Sequence, residues 1–262
     1  MKIICIGTTK GGVGKTTLTF NLAGYLAKTG KVLIWDIDPQ ANLSCNAGVN
    51  IMHPNIKTTK DILEKNTPPE QVIIKSPIKQ LENLDIISSN LGLHETEMLL
   101  VNRSAREFII KYYIEDNINF FEQYDWILID TNPGMTVINQ NGFLVADSII
   151  LVSDISDNAA QGVEQFQYMW QNRLKDFRMK DNIKALIINN FDKRISLSNE
   201  IVEYYKNNED LTNLLIKTVI PSRVKMKETA LEHKPINVLD ASCDANLAIE
   251  KIAQELKERG IL

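Results

Sequence analysis

Cysteine is scarce: there are three in 262 residues, at positions 5, 45 and 243. Their separation supplies neither a disulfide framework nor the paired spacing of a metal site. A reducing, cytoplasmic setting is therefore expected. Cys5, inside an apolar run, reads as a small buried hydrophobe. An excess of basic charge is also missing, since 29 lysines and arginines face 33 aspartates and glutamates for a net charge of −4. No global positive field announces a nucleic-acid partner, while a local patch stays open. No apolar run approaches the roughly 20 residues of a membrane-spanning helix. No secretory signal is expected, because a strand-like run and a glycine loop begin at once. Repeats, low-complexity tracts and linker-like stretches are lacking too, so a single domain over residues 1–262 is expected.

What the chain does have is concentrated near its start. Lys2–Gly7 is a short apolar run suited to a buried parallel strand. Residues 8–17 then read Thr-Thr-Lys-Gly-Gly-Val-Gly-Lys-Thr-Thr. Gly11, Gly12 and Gly14 permit backbone N–H groups to turn inward without a Cβ clash, as a phosphate cradle requires. Lys15 is placed to reach β- and γ-phosphates, and the Thr16 hydroxyl to bind Mg²⁺. The strict phosphate-loop pattern needs glycine at position 9, where Thr9 stands. In exchange there is a second lysine, Lys10, that this chemistry does not use. A helix is expected over Thr17–Lys28, with Leu18, Leu22, Tyr25 and Leu26 on one face and Gly30 at its C-terminal cap. Its N-terminus would point at the phosphates.

Further apolar runs recur at Val32–Trp35, Leu84–Ser88, Trp126–Asp130, Ser148–Val152, Ala185–Asn189 and Lys217–Ile220, with helical stretches between them. This alternation predicts an α/β fold: a doubly wound, mainly parallel sheet with helices on both faces. Residues 50–80 show only turn signals around a short helix at Thr59–Lys65, and a closing helix is expected over Asn246–Leu262 with Leu247, Ile249, Ile252, Ala253 and Leu256 inward and Gly260 as its stop. Two of the strands end in carboxylates. Alternation along the first puts Asp36 and Asp38 on one side, facing the loop edge. The second runs into Asp130, as a strand-borne aspartate near Mg²⁺ requires.

Together, Lys10–Thr17, Asp36-Ile-Asp38-Pro-Gln40 and Leu128-Ile-Asp130-Thr-Asn-Pro133 resemble the ParA/MinD family of deviant Walker-A ATPases. The stretch Ile187–Ser198, and the segments around Thr218–Pro221, Glu228–Ala230 and Lys234–Ile236, extend the resemblance over the whole chain. It is nearest to ParA/Soj-type partition ATPases lacking an N-terminal helix-turn-helix domain. The resemblance implies a P-loop fold that binds ATP and Mg²⁺ through Lys10, Gly11, Gly12, Val13, Gly14, Lys15, Thr16 and Thr17. It implies a nucleotide-sandwich homodimer in which Lys15 acts in cis and Lys10 crosses to the partner's ATP. Thr16 would ligate Mg²⁺, Asp36 and Asp130 would hold its waters, and Asp38 would orient the attacking water. Asn189 and Pro221 match positions near the adenine. Asn132 departs from the two prolines that many relatives carry, which bears on loop conformation and turnover.

The resemblance also implies a cargo. In partition ATPases the ATP dimer binds DNA without sequence preference, and a ParB-like centromere-binding protein stimulates hydrolysis. Arg223, Lys225 and Lys227 fall in the matching stretch at alternating spacing, which would put three cations on one side of an extended segment, with Arg194 beside them. The C-terminal helix has balanced charge, unlike a membrane-binding amphipathic helix, so no membrane partner is expected. The cysteines do not suit a shared iron–sulfur cluster. The leading expectation is a cytoplasmic, nucleoid-associated plasmid or chromosome partition ATPase. A MinD-like or cargo-positioning ATPase and a nucleotide-dependent dimerising regulator stand beside it.

Overall fold

The computed structural model describes residues 1–156 and 158–262. The apolar runs pair into a seven-stranded sheet built from β1 (Lys2–Gly7), β2 (Val32–Asp36), β3 (Ile73–Ile74), β4 (Leu84–Ile87), β5 (Trp126–Asp130), β6 (Ser148–Ser153) and β7 (Ile183–Ile188). Their order is β3-β4-β2-β5-β1-β6-β7. Every neighbouring pair is parallel except β3 with β4. Strands buried on both faces read as continuous apolar runs, and each divides its side chains between two cores. In β1, Ile3 and Cys5 enter one core while Ile4 and Ile6 enter the other. The second core is closed by helices Lys15–Leu26 and Asp244–Glu258, the first by helices Val137–Val145 and Ala159–Phe177. The doubly wound α/β expectation is met. Because β1 lies between β5 and β6, the chain leaves it toward β2 on one side and returns to β6 on the other. A crevice therefore opens at the carboxyl end of β1.

Three local expectations need correction. Lys217–Ile220 is not a strand. The segment starts along the outer edge of β7, with Leu186 N donating to Leu214 O (2.7 Å) and Ile216 N to Leu186 O (2.9 Å). It rejoins at Ile220, whose N donates to Ile188 O at 2.9 Å. Between these points the amides of Lys217 and Thr218 turn away to the Glu255 carboxylate, at 2.9 and 3.0 Å. A charged acceptor outcompetes the ladder for two donors, and the segment bends away from β7. Gly30 is no left-handed cap either. An added Cβ there would lie 2.5 Å from Asp125 Oδ2 and 2.6 Å from the Trp126 ring, so close approach is what excludes a side chain.

The closing helix runs over Asp244–Glu258, and Gly260 follows it with φ +69°. Ile249, Ile252, Ala253 and Leu256 are fully buried as expected, but Leu247 is 47% exposed. At 100° per residue, Leu247 lies about 200° from Ile249 and so faces away from the core. The short antiparallel β3, in the stretch whose sequence carries only turn signals, is held by Asp85. That buried carboxylate accepts from Lys75 Nζ (2.8 Å), Tyr124 Oη (2.7 Å) and Ser76 N (3.0 Å). Replacing Glu255 by alanine is expected to leave three donors without their acceptor, the Thr218 hydroxyl (2.5 Å) being the third. The loss should be about 1–2 kcal/mol, read as a lower urea midpoint at unchanged m-value.

Candidate functional site

The phosphate loop connects β1 to helix Lys15–Leu26, whose Ncap is Gly14. Gly12 and Gly14 both adopt positive φ, +78° and +97°. The two need glycine for different reasons. A Cβ on Gly12 meets nothing within 4 Å, whereas one on Gly14 would fall 2.0 Å from Asn189 Nδ2. Asn189, at the end of β7, is 4% exposed and donates to Val13 O at 2.8 Å. The loop is thus pressed onto the sheet's carboxyl edge, with its free helix N-terminus opening into a cavity of about 470 Å³. Gly12, Gly14, Lys15, Thr16, Thr17 and Asp38 line it. Lys15 is 6% exposed, and burial pulls its ammonium below the ordinary lysine range against the opposing pull of Asp130 and Asp38. Among the described residues its ammonium donates no hydrogen bond, so a buried cation faces a cavity ringed by amide donors. That donor set fits an oligophosphate.

Beneath the cavity lie two carboxylates. Asp36 and Asp130 are register partners at the carboxyl ends of β2 and β5, and both are fully buried. Burial, reinforced by neighbouring negative charge, raises Asp36 to about 8 and Asp130 to about 7. Asp130 accepts from Thr16 Oγ1 at 2.7 Å and from Thr19 Oγ1 at 3.3 Å. With its proton committed to Asp130, the Thr16 hydroxyl at the cavity wall keeps its lone pairs available as acceptors. Thr16, backed by Asp130, therefore fits a hard divalent cation such as Mg²⁺, which takes oxygen ligands and keeps most of its waters. Asp36 is differently occupied. Its Oδ2 accepts from Ser44 N (2.9 Å) and Ser44 Oγ (2.7 Å), and its Oδ1 from Asp38 N (3.1 Å). It organises the turn that carries Asp38. Of the two acids expected on one strand face, only Asp38 lines the cavity, its Oδ1 accepting from Gln40 N at 2.9 Å.

Lys10 stands apart from the cavity whose loop it begins. Its ammonium is 3.2 and 3.5 Å from the two oxygens of Asp154 and also bonds Ser156 Oγ. Opposite the loop, Asn132 and Gly134 both give their carbonyls to Asn139 Nδ2, at 2.9 and 2.8 Å, and Gly134 N donates to Thr8 O at 3.1 Å. Asn139, fully buried in the first turn of helix Val137–Val145, thereby clamps the segment after Asp130 against the phosphate loop. The Asn132 side-chain oxygen is buried without a hydrogen-bond partner among the described residues.

A second recess, also about 470 Å³, is lined by Phe191, Pro221, Arg194 and Arg223 among others. Pro221 forms a bridge with Phe191, while Asn189 is turned onto the phosphate loop. The expected alternating row of cations does not form. Met226 and Thr229 bury one face of the segment and wind it into helix Val224–Leu231, so Lys225 and Lys227 sit about 200° apart around its axis. Arg223 precedes the helix and pairs with Asp244 (2.9 and 2.5 Å), Arg194 pairs with Asp192 (2.6 Å), and Lys225 with Glu228 (2.9 Å). Lys227 has no ion pair among the described residues. The structure brings Arg194 and Arg223 to one recess and leaves the two lysines on the helix.

Sequence reasoning overlooked Thr19, Ser44, Asn139, Asp154 and Ser156. Thr19 was visible as a polar residue one turn after Lys15, between the apolar Leu18 and Phe20, and the Thr136–Asn139 pair has N-cap spacing. Asp154 and Ser156 carried no local signal, because their partner lies more than 140 residues away.

Strand, glycine loop and helix in this order, with Lys15 and Thr16 at the helix start and Asp130 behind them, define a phosphate-loop nucleotide-binding fold. Comparison with known proteins narrows the class. A family model described as an AAA domain matches residues 1–185. The sporulation initiation inhibitor protein Soj of Bacillus subtilis is 30% identical over 260 residues, covering 99% of each chain. A crystal structure of a plasmid partition protein from Borrelia burgdorferi bound to AMPPNP superposes with a TM-score of 0.80 at 26% identity, covering 98% of this chain and 99% of that one. McdA from Cyanothece shares the fold at a TM-score of 0.85 and 21% identity, over 98% and 99% of the two chains. The chain belongs to the ParA/Soj-type family of P-loop ATPases.

The two glycines make separable predictions. Gly12→Ala adds only backbone strain, about 1–2 kcal/mol, whereas Gly14→Ala adds the same strain and must also displace Asn189. Titration with a fluorescent ATP analogue should show Gly14→Ala losing at least about tenfold more affinity than Gly12→Ala.

Proposed function

We propose that residues 1–262 form one ATP-driven switch domain, a partition ATPase that dimerises around Mg²⁺-ATP, binds DNA nonspecifically as a dimer, and releases it on hydrolysis. The observation that carries this reading is the division of labour between the two lysines. Lys15 faces its own cavity, while Lys10 does not line it. A lysine at the mouth of a phosphate loop that is turned away from its own cavity suits a nucleotide presented by a second copy. A cation supplied across an interface couples triphosphate binding to association, as an arginine finger does. Relatives support the ligand and the setting: the Borrelia partition protein binds AMPPNP, and the Caulobacter vibrioides relative, 28% identical over 261 residues, is a chromosome partitioning protein.

Within the site, the loop amides and Lys15 would hold the β- and γ-phosphates, and Thr16 backed by Asp130 would hold Mg²⁺, which would supply charge neutralisation at the phosphoryl group. Asp38, at the cavity wall on a turn fixed by Asp36, orients the attacking water. The adenine lies toward Asn189 and Pro221. Arg194, Arg223, Lys225 and Lys227 supply the DNA contacts, doubled by dimerisation, and a ParB-like partner accelerates turnover. Helix Asp244–Glu258 has its apolar face sealed in the core, which disfavours a MinD-like attachment to lipid through that helix.

Asp38→Ala is expected to keep ATP binding and the dimer while cutting turnover by at least about 100-fold, measured as phosphate release. Unchanged turnover would remove Asp38 from the water-positioning role. Nonspecific duplex DNA should shift only with Mg²⁺-ATP, and the shift should weaken steeply with salt. No shift at low salt with ATP would sink the DNA reading.

A further inference from the structure

Between its contacts with β7, the segment that follows helix Ser196–Asn207 leaves a recess of about 480 Å³. The cause is Glu255, which holds the amides of Lys217 and Thr218 away from the sheet. Ile216 N and Ile220 N still reach Leu186 O and Ile188 O, so both of those residues direct their main-chain groups to this outer edge. Leu186 N finds Leu214 O at 2.7 Å, but Ile188 N has no acceptor among the described residues. Ile188 is fully buried. A buried main-chain donor is almost always paired, so this one marks a place for an acceptor from outside the chain. Apolar and cationic side chains line the rest of the recess. Ile188, Val202, Leu215 and Val219 are the apolar ones. Lys206, Lys217 and Arg259 bring positive charge, and no acidic residue lines it. The cations differ in what they have left to offer. Arg259 donates to Asn213 O, Leu214 O and Leu215 O, at 3.0, 3.1 and 2.6 Å. Lys206 pairs with Glu203 at 2.8 Å, whereas Lys217 has no ion pair among the described residues.

We propose that this recess binds a small amphipathic carboxylate, an aliphatic acid whose tail lies on the apolar lining. Ile188 N and the Lys217 ammonium are the donors free to meet its head. A carboxylate, with its pair of oxygens and single negative charge, suits one neutral and one charged donor. Arg259 adds positive field, its end nitrogens already facing main-chain carbonyls. A phosphate asks for more donors than these. An amphipathic cation is repelled by the same charges that attract the acid. Mostly apolar lining with a few placed polar groups, at this volume, is what small-ligand sites share. Each methylene laid on the lining should add about fourfold in affinity. The recess shares no lining residue with the cavity at Lys15, so it is a second site and not an extension of the nucleotide's.

The test follows the Ile188 amide by NMR in the full chain labelled with ¹⁵N-isoleucine, its resonance assigned through Ile188→Val. Octanoate should move that resonance downfield and saturate, with hexanoate weaker by about 15-fold and butanoate weaker again. Octylammonium, with the same tail and the opposite head, should leave it in place. Lys217 is exposed and does not line the nucleotide cavity. Lys217→Glu should therefore weaken octanoate about tenfold at unchanged melting temperature and ATP affinity, and Lys217→Ala should give a smaller loss in the same direction. No saturable shift with octanoate overturns the proposal, as does an equal response to octylammonium. Affinities that do not rise with chain length, or full affinity in both Lys217 variants, overturn it too. So does a shift that inorganic phosphate produces equally, because an ion site needs no apolar lining. If Lys217→Glu abolishes the Mg²⁺-ATP-dependent shift of duplex DNA while octanoate leaves Ile188 unmoved, the recess belongs to a DNA-binding face and the carboxylate site is refuted.

Discussion

The site depends on how closely the phosphate loop approaches the carboxyl edge of the sheet. Gly14 has no room for a Cβ because the Asn189 amide occupies that space and binds Val13 O. This contact ties the loop after β1 to the end of β7, across β6. It sets where helix Lys15–Leu26 begins, and hence where its free amides, Lys15 and Thr16 stand. The same proximity brings Thr16 within 2.7 Å of Asp130, since Ile6 near the end of β1 is the register partner of Asp130 on β5. A looser loop would separate the helix N-terminus from the Asp130 carboxylate.

Around that contact, charge has been buried at a cost that a ligand can offset. Asp36 and Asp130 sit side by side fully buried, and Lys15 is nearly so. Burial penalises all three charged forms, which is why the two acids move up and the lysine moves down. Ser44, Thr16 and Thr19 donate hydrogen bonds that soften the penalty for the acids. The proposed metal-bound triphosphate would answer the remainder, bringing positive charge to the carboxylates and negative charge to Lys15. Lys10 follows the opposite logic. It is satisfied within its chain, so any role for it elsewhere begins by breaking a contact.

Much of this was legible in the chain. Six of the seven strands lie where apolar runs are read, because a parallel strand buried on both faces needs such a run whatever its neighbours. The strand β3 was not legible: two residues carry no period, and its place comes from Asp85 binding Lys75, Ser76 and Tyr124. The run at Lys217–Ile220 looks like a strand locally and fails as one because Glu255, in a distant helix, takes its amides. Arg223, Lys225 and Lys227 alternate in the sequence, but burial of Met226 and Thr229 selects a helix over the extended segment that alternation assumes.

By itself, the sequence determined the nucleotide chemistry: glycines, Lys15 and Thr16 between a strand and a helix, and aspartates at strand ends. These signals are local, and local backbone geometry is enough to express them. Tertiary structure decided how each charged group is employed. Only the fold shows that Asp36 is occupied by Ser44, that Asp38 alone of that pair reaches the cavity, and that Lys10 rests on Asp154. The physical reason is that a charge's role is set by what lies within a few ångströms of it, and here those neighbours come from remote parts of the chain.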